Sequence, residues 1–163
     1  MNSSFQIRRA IARDVPAIFD LIKALAEYAK LSHQVTGTVD DLQNHLFGNQ
    51  VSVEAIVAEC EEKLVGFALF FPNYSTFLTK PGIYLEDLFV LPEYRRQGIG
   101  KAMLIYLGKL AVKRGAGRLE WSVLDWNQSA IAFYQTMGAN VLPDWRICRV
   151  TGEALQNLAQ RSE

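Results

Sequence analysis

The sequence predicts an α/β fold, a mixed central β-sheet flanked by α-helices, in one domain spanning 1–163. Three features point there. Helix-spaced apolar residues fill the first part of the chain. Two β-rich runs joined by a short polar stretch come next, and after them helical segments alternate with short β-rich ones. Helices that both precede and separate strands cover the faces of a sheet. A length of 163 residues suits one domain, which most often holds roughly 100–150 residues.

Taken in order, Phe5 to Arg9 reads as a short first strand. Asp14 before Val15-Pro16 reads as a helix N-cap with proline in the first turn, and Ile18, Ile22, Leu25 and Ala29 form the apolar stripe of that helix. Thr38-Val39-Asp40-Asp41 resembles a capping box opening a shorter helix through Leu46 and Phe47. Val53 to Glu59 and Leu64 to Phe71 are strand-like, and Glu61-Glu62-Lys63 between them suits a hairpin. Asn73 to Gly82 reads as a loop. Ile83 to Leu91 is a further β-rich run ended by Pro92. From Gly98 the pattern turns helical, with Met103, Leu107 and Leu110 on one face and Gly115 and Gly117 as the stop. Leu119, Trp121 and Val123 alternate with polar residues as a half-buried strand does. Ala130 to Met137 is a short helix closed by Gly138, Trp145 to Val150 a last strand, and Glu153 to Ala159 a terminal helix.

Composition narrows the function classes. Half the residues are hydrophobic and 21% are charged, an ordinary globular balance. Lys plus Arg and Asp plus Glu both number 17, so no broad basic surface marks a nucleic-acid binder. The apolar run Val65 to Phe71 is far short of the roughly 20 residues of a membrane-spanning helix. Met1-Asn2-Ser3-Ser4 carries no basic patch followed by an apolar stretch. Cys60 and Cys148 read as reduced thiols of a cytoplasmic protein. His33 and His45 share no ligand spacing with each other or with the cysteines, so no metal is expected.

The most informative segment is Glu93-Tyr94-Arg95-Arg96-Gln97-Gly98-Ile99-Gly100-Lys101, between a strand and a helix. A helix N-terminus offers unpaired N–H groups and partial positive charge, a place for anionic phosphates. Gly98 and Gly100 admit close backbone approach, while Arg95, Arg96 and Lys101 add cations. A Walker A loop needs Ser or Thr after Gly-Lys, and here Ala102 follows Lys101. A dinucleotide fingerprint needs a third glycine where Met103 stands. The plain alternative is a glycine-containing connection with solvated arginines.

The remaining pattern, Arg-x-x-Gly-x-Gly from Arg95 to Gly100, resembles the acyl-CoA diphosphate loop of the GNAT acetyltransferase superfamily. Leu88-Phe89-Val90 before it, and Trp126-Asn127 and Ala132-Phe133-Tyr134 after it, resemble that superfamily too. Ile22-Lys23-Ala24-Leu25-Ala26-Glu27-Tyr28, Tyr84-Leu85-Glu86-Asp87-Leu88-Phe89-Val90 and Asp125-Trp126-Asn127 resemble its diamine branch, the spermidine/spermine and thialysine acetyltransferases, from about Ile7 to the terminal helix. The resemblance implies a GNAT fold, acetyl-CoA as donor, a primary amine of a small molecule as acceptor, and a homodimer.

It also implies roles. An alkyl ammonium has a pKa near about 10.4, so a group must take its proton. Glu86 is the candidate, acting through water, and Asp87 the neighbouring alternative. In a plain strand the two point to opposite faces unless a bulge re-aims one, and an edge ion pair is the bland reading of both. A backbone N–H at Leu88 or a neighbour would stabilise the developing oxyanion. Backbone groups at Leu88, Phe89 and Val90 would pair with the pantetheine arm, although these residues can equally be strand core. Tyr134 matches the family's general acid, a phenol protonated at neutral pH; otherwise it is a core aromatic. Arg95, Arg96, Gln97, Gly98, Ile99, Gly100 and Lys101 would hold the diphosphate, and Asn127 would contact pantetheine or cap a helix.

For the acceptor, the resemblance points to Glu27, Tyr28, Glu86 and Asp87, although Glu27 and Tyr28 also suit a surface turn. Polyamine-acetylating relatives tend to carry an acid just after that tyrosine, where this chain has Ala29 and Lys30. Their acid-and-Trp pair falls near Ser75 and Phe77 here. Fewer fixed negative charges favour a short amine or an amino acid with an amino-bearing side chain. Trp145 and Arg146 lie where the branch packs its dimer. The competing functions are acetylation of a protein amine and non-catalytic binding of acyl-CoA.

Overall fold

Strand β1 (Gln6–Arg9) ends beside a cluster of charge that fixes the start of helix α1 (Val15–Tyr28). Arg8 holds both oxygens of the Asp14 carboxylate, at 2.7 and 3.0 Å, and that carboxylate also accepts from the Ile11 N–H at 2.8 Å. Asp14 therefore precedes the helix as expected, with Pro16 in its first turn, but its side chain does not cap it. A buried carboxylate is drawn to the bidentate guanidinium rather than to one helix N–H. Thr38 does cap helix α2 (Val39–Phe47), accepting from the Asp41 N–H at 3.1 Å.

The computed structural model describes residues 4–162, so most of Met1-Asn2-Ser3-Ser4 lies outside the described residues. The chain divides into two units, residues 1–122 and 123–163.

The first unit is built on a five-stranded sheet in the order β1-β2-β3-β4-β5. Strands β2 (Glu54–Cys60), β3 (Lys63–Ser75) and β4 (Lys80–Val90) pair antiparallel in succession, with β1 antiparallel to β2. The β2–β3 turn places Glu61 and Glu62 at φ 51 and 65°, the left-handed conformation that a two-residue hairpin loop requires. The expected loop Asn73 to Gly82 is mostly hairpin: Asn73 pairs with Gly82 and Ser75 with Lys80, leaving a tight turn at Thr76 to Thr79. Helix α3 (Ile99–Lys113) then carries the chain back to β5 (Leu119–Glu120), parallel to β4. A parallel neighbour needs such a helical crossover, and the sheet is mixed as expected.

Helices α1 and α2 bury Val15, Ile18, Leu21 and Leu46 against Ala55, Val57, Phe67, Leu69 and Phe89 on one face. On α3, Ile99, Met103, Leu104 and Leu107 are buried. Gly66 permits its close approach: a Cβ there would lie 2.9 Å from the Phe89 carbonyl oxygen and 3.4 Å from the Met103 side chain. Phe67 and Phe70 are fully buried, each contributing about 2–3 kcal/mol of apolar burial.

Strand β5 is shorter than the expected Leu119 to Val123. Its ladder to β4 ends at the Tyr84–Glu120 pair, just before β4 becomes irregular. Within the second unit, helix α4 (Gln128–Thr136) starts at a cap from Asn127 and gives way to Gly138 at φ 97°, and helix α5 (Gly152–Ala159) follows. The expected strand Trp145 to Val150 is not formed among the described residues. Trp145 and Ile147 are instead 79% and 69% exposed. Alternation supplies side chains for a strand, but a strand also needs a neighbouring backbone to pair with.

Candidate active site

The ladder between β3 and β4 slips by one residue in the middle of the sheet. Leu69 pairs with Asp87 and Phe70 with Leu85, which leaves Glu86 without a cross-strand partner. Such a bulge reverses the in-and-out alternation beyond it. Before it, even positions of β4 oppose the α3 face; after it, odd positions such as Phe89 share the α1 and α2 face with Phe67. Glu86 and Asp87 consequently turn towards the same side, the condition on which both can serve one pocket. Glu86 is exposed and Asp87 half-buried. Burial, and secondly the charge of Glu86, push the Asp87 carboxyl up to about 6.

The same bulge marks the end of hydrogen bonding between β4 and β5. From Glu86 to Val90, no strand among the described residues pairs with β4 on that side, which leaves backbone groups with which an extended ligand can pair. Leu88 is half-buried, and the Phe89 and Val90 side chains are buried in the core. Only the backbone of Phe89 and Val90 can face a ligand.

Beyond β4, the Leu91 N–H donates to the Val65 carbonyl at 2.8 Å, and a short 3-10 turn covers Pro92–Tyr94. Arg96 and Gly98 then adopt left-handed backbone, φ 62 and 86°. The first bond of α3 runs from the Ala102 N–H to the Gly98 carbonyl at 2.9 Å, so the N–H groups before it project from the helix end. Nothing lies within 4 Å of the place a Gly98 Cβ would take. Arg96 and Lys101 are exposed beside this open turn. Projecting N–H groups, free space at Gly98 and two exposed cations suit a diphosphate.

Arg95 is placed differently. Its Nε donates to the Val90 carbonyl at 2.9 Å, and its guanidinium lies 4.5 Å from the Tyr28 ring and 5.4 Å from the Phe89 ring. Gln97 turns its Oε1 inward, buried with no hydrogen-bond partner among the described residues. Glu27 and Tyr28 diverge: Glu27 is exposed on a groove of about 380 Å³ shared with Phe19, Lys23, Ser32, Val35 and Gly37, whereas Tyr28 meets Arg95. Glu86 does not line that groove, nor a second of about 380 Å³ between α2 and β2.

In the second unit, Asn127 Oδ1 accepts from the Ala130 N–H at 3.3 Å, the helix cap that its position suggested. The Tyr134 ring packs against Phe133 with centroids 5.5 Å apart, and burial raises its phenol above the ordinary value. Among the described residues no group of three or more His, Cys, Asp or Glu is placed to hold a metal ion, and no helix is long and apolar enough to cross a membrane. Cys60 is buried and Cys148 exposed, and both are free thiols.

One feature of the site escaped the sequence. Two consecutive acids in an apolar strand leave a bulge open as an alternative, but no local pattern pairs Tyr28 with Arg95.

Known proteins are similar to this chain in sequence and fold. Residues 21–139 match the acetyltransferase (GNAT) family. An L-ornithine N5-acetyltransferase of Arabidopsis thaliana is 37% identical, across 93% of this chain and 86% of its own. A thialysine N-epsilon-acetyltransferase of Mus musculus is 36% identical, across 98% and 99%. An integron cassette protein from the mobile metagenome of V. cholerae superposes with a TM-score of 0.80 at 26% identity, covering 97% of this chain and 99% of the other. An aminoglycoside acetyltransferase from a soil metagenome has the same fold, with a TM-score of 0.77 at 22% identity over 91% of this chain and 97% of its own. The open-edged bulged strand, the glycine turn and these likenesses agree: the chain is an N-acetyltransferase and belongs to the acetyltransferase (GNAT) family, in the branch that resembles the diamine and thialysine enzymes.

Proposed function

We propose that this protein transfers the acetyl group of acetyl-CoA to a primary amine of a small molecule, by direct attack within a ternary complex. The observation that carries the reading is the left-handed turn at Arg96 and Gly98, opening α3 directly after the bulged edge of β4. The whole chain acts as one acetyltransferase domain, a reading supported by a family match that crosses residue 122 without a break.

In this proposal the N–H groups from Gln97 to Lys101 hold the diphosphate, with Arg96 and Lys101 lending charge. The backbone of Leu88, Phe89 and Val90 pairs with the pantetheine amides, and Asn127 contacts the same arm. Glu86 takes the proton of the incoming ammonium through water, while Asp87 adds a second carboxylate for the amine. The nitrogen lone pair attacks the thioester carbonyl, and an N–H at or near Leu88 stabilises the oxyanion. The C–S bond then breaks, Tyr134 protonates the departing thiolate, and the second proton leaving the nitrogen as the amide forms returns to the tyrosinate. The raised phenol keeps its own proton at neutral pH until it is needed.

The acceptor is an amino acid with an amino-bearing side chain, of the thialysine type, or a short diamine. Relatives named for thialysine and ornithine support this. So does Ala29-Lys30 after Tyr28, which provides no carboxylate for a long polycation. The protein works as a cytoplasmic homodimer, the exposed Trp145 and Ile147 giving apolar area for such contact.

Release of free CoA, measured with thialysine, ornithine, putrescine, spermine and a lysine peptide, tests the reading. The highest kcat/KM is expected on thialysine or ornithine. No release with any amine would overturn catalysis, and a maximum on spermine or the peptide would overturn the acceptor.

A further inference from the structure

Arg95 is the first residue of the Arg-x-x-Gly-x-Gly pattern, yet its guanidinium is already engaged. One edge donates to the Val90 carbonyl at 2.9 Å. Its guanidinium carbon lies over the ring of Tyr28, the last residue of α1, at 4.5 Å and over the Phe89 ring at 5.4 Å. The two rings are 6.5 Å apart and tilted by 49°. A planar guanidinium fixed by one directed hydrogen bond and two ring faces has little freedom left. Arg96, next in the chain, is held in left-handed backbone, which a non-glycine residue keeps only when its surroundings impose it.

We infer that Tyr28 and Arg95 are positioning residues for the donor: the Tyr28 ring seats the Arg95 guanidinium against Val90 and Phe89, and this anchor sets the turn from Arg96 to Gly98 whose N–H groups receive the CoA diphosphate. The inference rests on the proposed acetyl-CoA reading and goes further. It gives Tyr28 a donor-side task in place of acceptor binding, and it removes Arg95 from the groups that touch phosphate.

The full-length protein and five variants decide it: Tyr28→Phe, Tyr28→Leu, Arg95→Lys, Arg95→Ala and the double variant Tyr28→Leu/Arg95→Ala. CoA affinity is measured by calorimetry at several salt concentrations, with KM for acetyl-CoA and for the amine and kcat alongside. Tyr28→Leu and Arg95→Ala are each expected to weaken CoA about 10-fold, with the double variant no weaker than about the worse single one. Tyr28→Phe keeps the ring and binds as wild type. Arg95→Lys keeps the charge but loses the planar fork and binds as poorly as Arg95→Ala. KM for acetyl-CoA rises, while kcat and KM for the amine hold.

Losses that multiply in the double variant overturn the inference. So does Arg95→Lys binding at wild-type strength, or a salt slope reduced by about one in Arg95→Ala, since either marks a direct phosphate contact. The Arg95→Lys comparison decides even where Tyr28→Leu is poorly folded. Wild-type protein that binds no CoA would instead overturn the acetyl-CoA reading itself, and this inference with it.

Discussion

Asp87 stands across from Leu69 on the neighbouring strand, while Glu86, one residue earlier, stands across from nothing. That offset makes two adjacent acids neighbours on one side of the sheet, and the energetic consequence is visible in Asp87. Burial and the Glu86 charge raise its carboxyl from 3.8 to about 6. The folded protein thus binds this proton more tightly than the unfolded chain does. Asp87 weakens the fold progressively as pH climbs from about 4 to 6, and the penalty is constant above that window. Asp87→Asn is expected to stabilise the protein by about 1–3 kcal/mol at pH 7.5 and to have little effect near pH 4. Urea unfolding at the two pH values checks this; equal effects at both would contradict it.

Glu86 is exposed, lies outside the ladder and supports nothing in the core. Glu86→Gln should leave the melting temperature within about 2 °C, since exposed substitutions away from structural features cost little. In the proposed mechanism it lowers kcat by about 100-fold without changing CoA affinity. Steady-state rates with calorimetric CoA binding separate the two effects. A loss confined to KM for the amine would make Glu86 a binding group rather than a proton acceptor.

Gly98 combines a left-handed backbone with open space where a side chain would start. Gly98→Ala meets no clash but strains the turn by about 1–2 kcal/mol and puts a methyl group where the diphosphate is proposed to lie. CoA affinity should fall at least 10-fold. Gly98→Asn tolerates that backbone better and should restore stability without restoring CoA affinity. Thermal melts and calorimetry on both variants distinguish strain from obstruction. Recovered CoA binding in Gly98→Asn would show that shape of the turn, not access, is limiting.

Much of this was legible from local pattern because the relevant forces act locally. Thr38 bonds Asp41 three residues on, and Gly98 adopts the φ its loop demands. The fold's mixed sheet follows from the order of such segments. Pairings between distant residues were not legible. Asp14 has the right neighbours for a helix cap, but Arg8 across the turn competes for it and wins. Tyr28 and Arg95 are brought together only when α1 lies on the sheet. Trp145 to Val150 shows the limit from the other direction: alternating side chains describe one strand, while forming it depends on a second backbone.

Tyr134 is the residue whose chemistry and packing pull the same way. Its ring lies on Phe133, and burial holds the phenol protonated well past neutral pH. Tyr134→Phe preserves the ring and should leave the protein folded. As proposed general acid its loss should cut kcat by about 100-fold or more while KM for acetyl-CoA stays put. A rate within a factor of three of wild type would remove Tyr134 from the reaction.

The Arg8–Asp14 pair tests the fold apart from the chemistry. Asp14 is 5% exposed and takes three hydrogen bonds, two from Arg8 and one from the Ile11 N–H. The Arg8 guanidinium, opposed by burial and helped by the Ile11 N–H, holds the carboxyl below its ordinary 3.8. Its contribution to stability is therefore complete above about pH 4 and disappears as pH falls through the lowered value. Arg8→Ala strands a buried carboxylate and should cost about 3 kcal/mol at pH 7, lowering the melting temperature by roughly 6–12 °C. As pH falls through that lowered value and Asp14 takes up its proton, the deficit should shrink. Melting curves of wild type and variant from pH 2.5 to 7 check the trend. A deficit that stays constant across that range would mean the pair holds the fold through packing of the Arg8 stem rather than through charge.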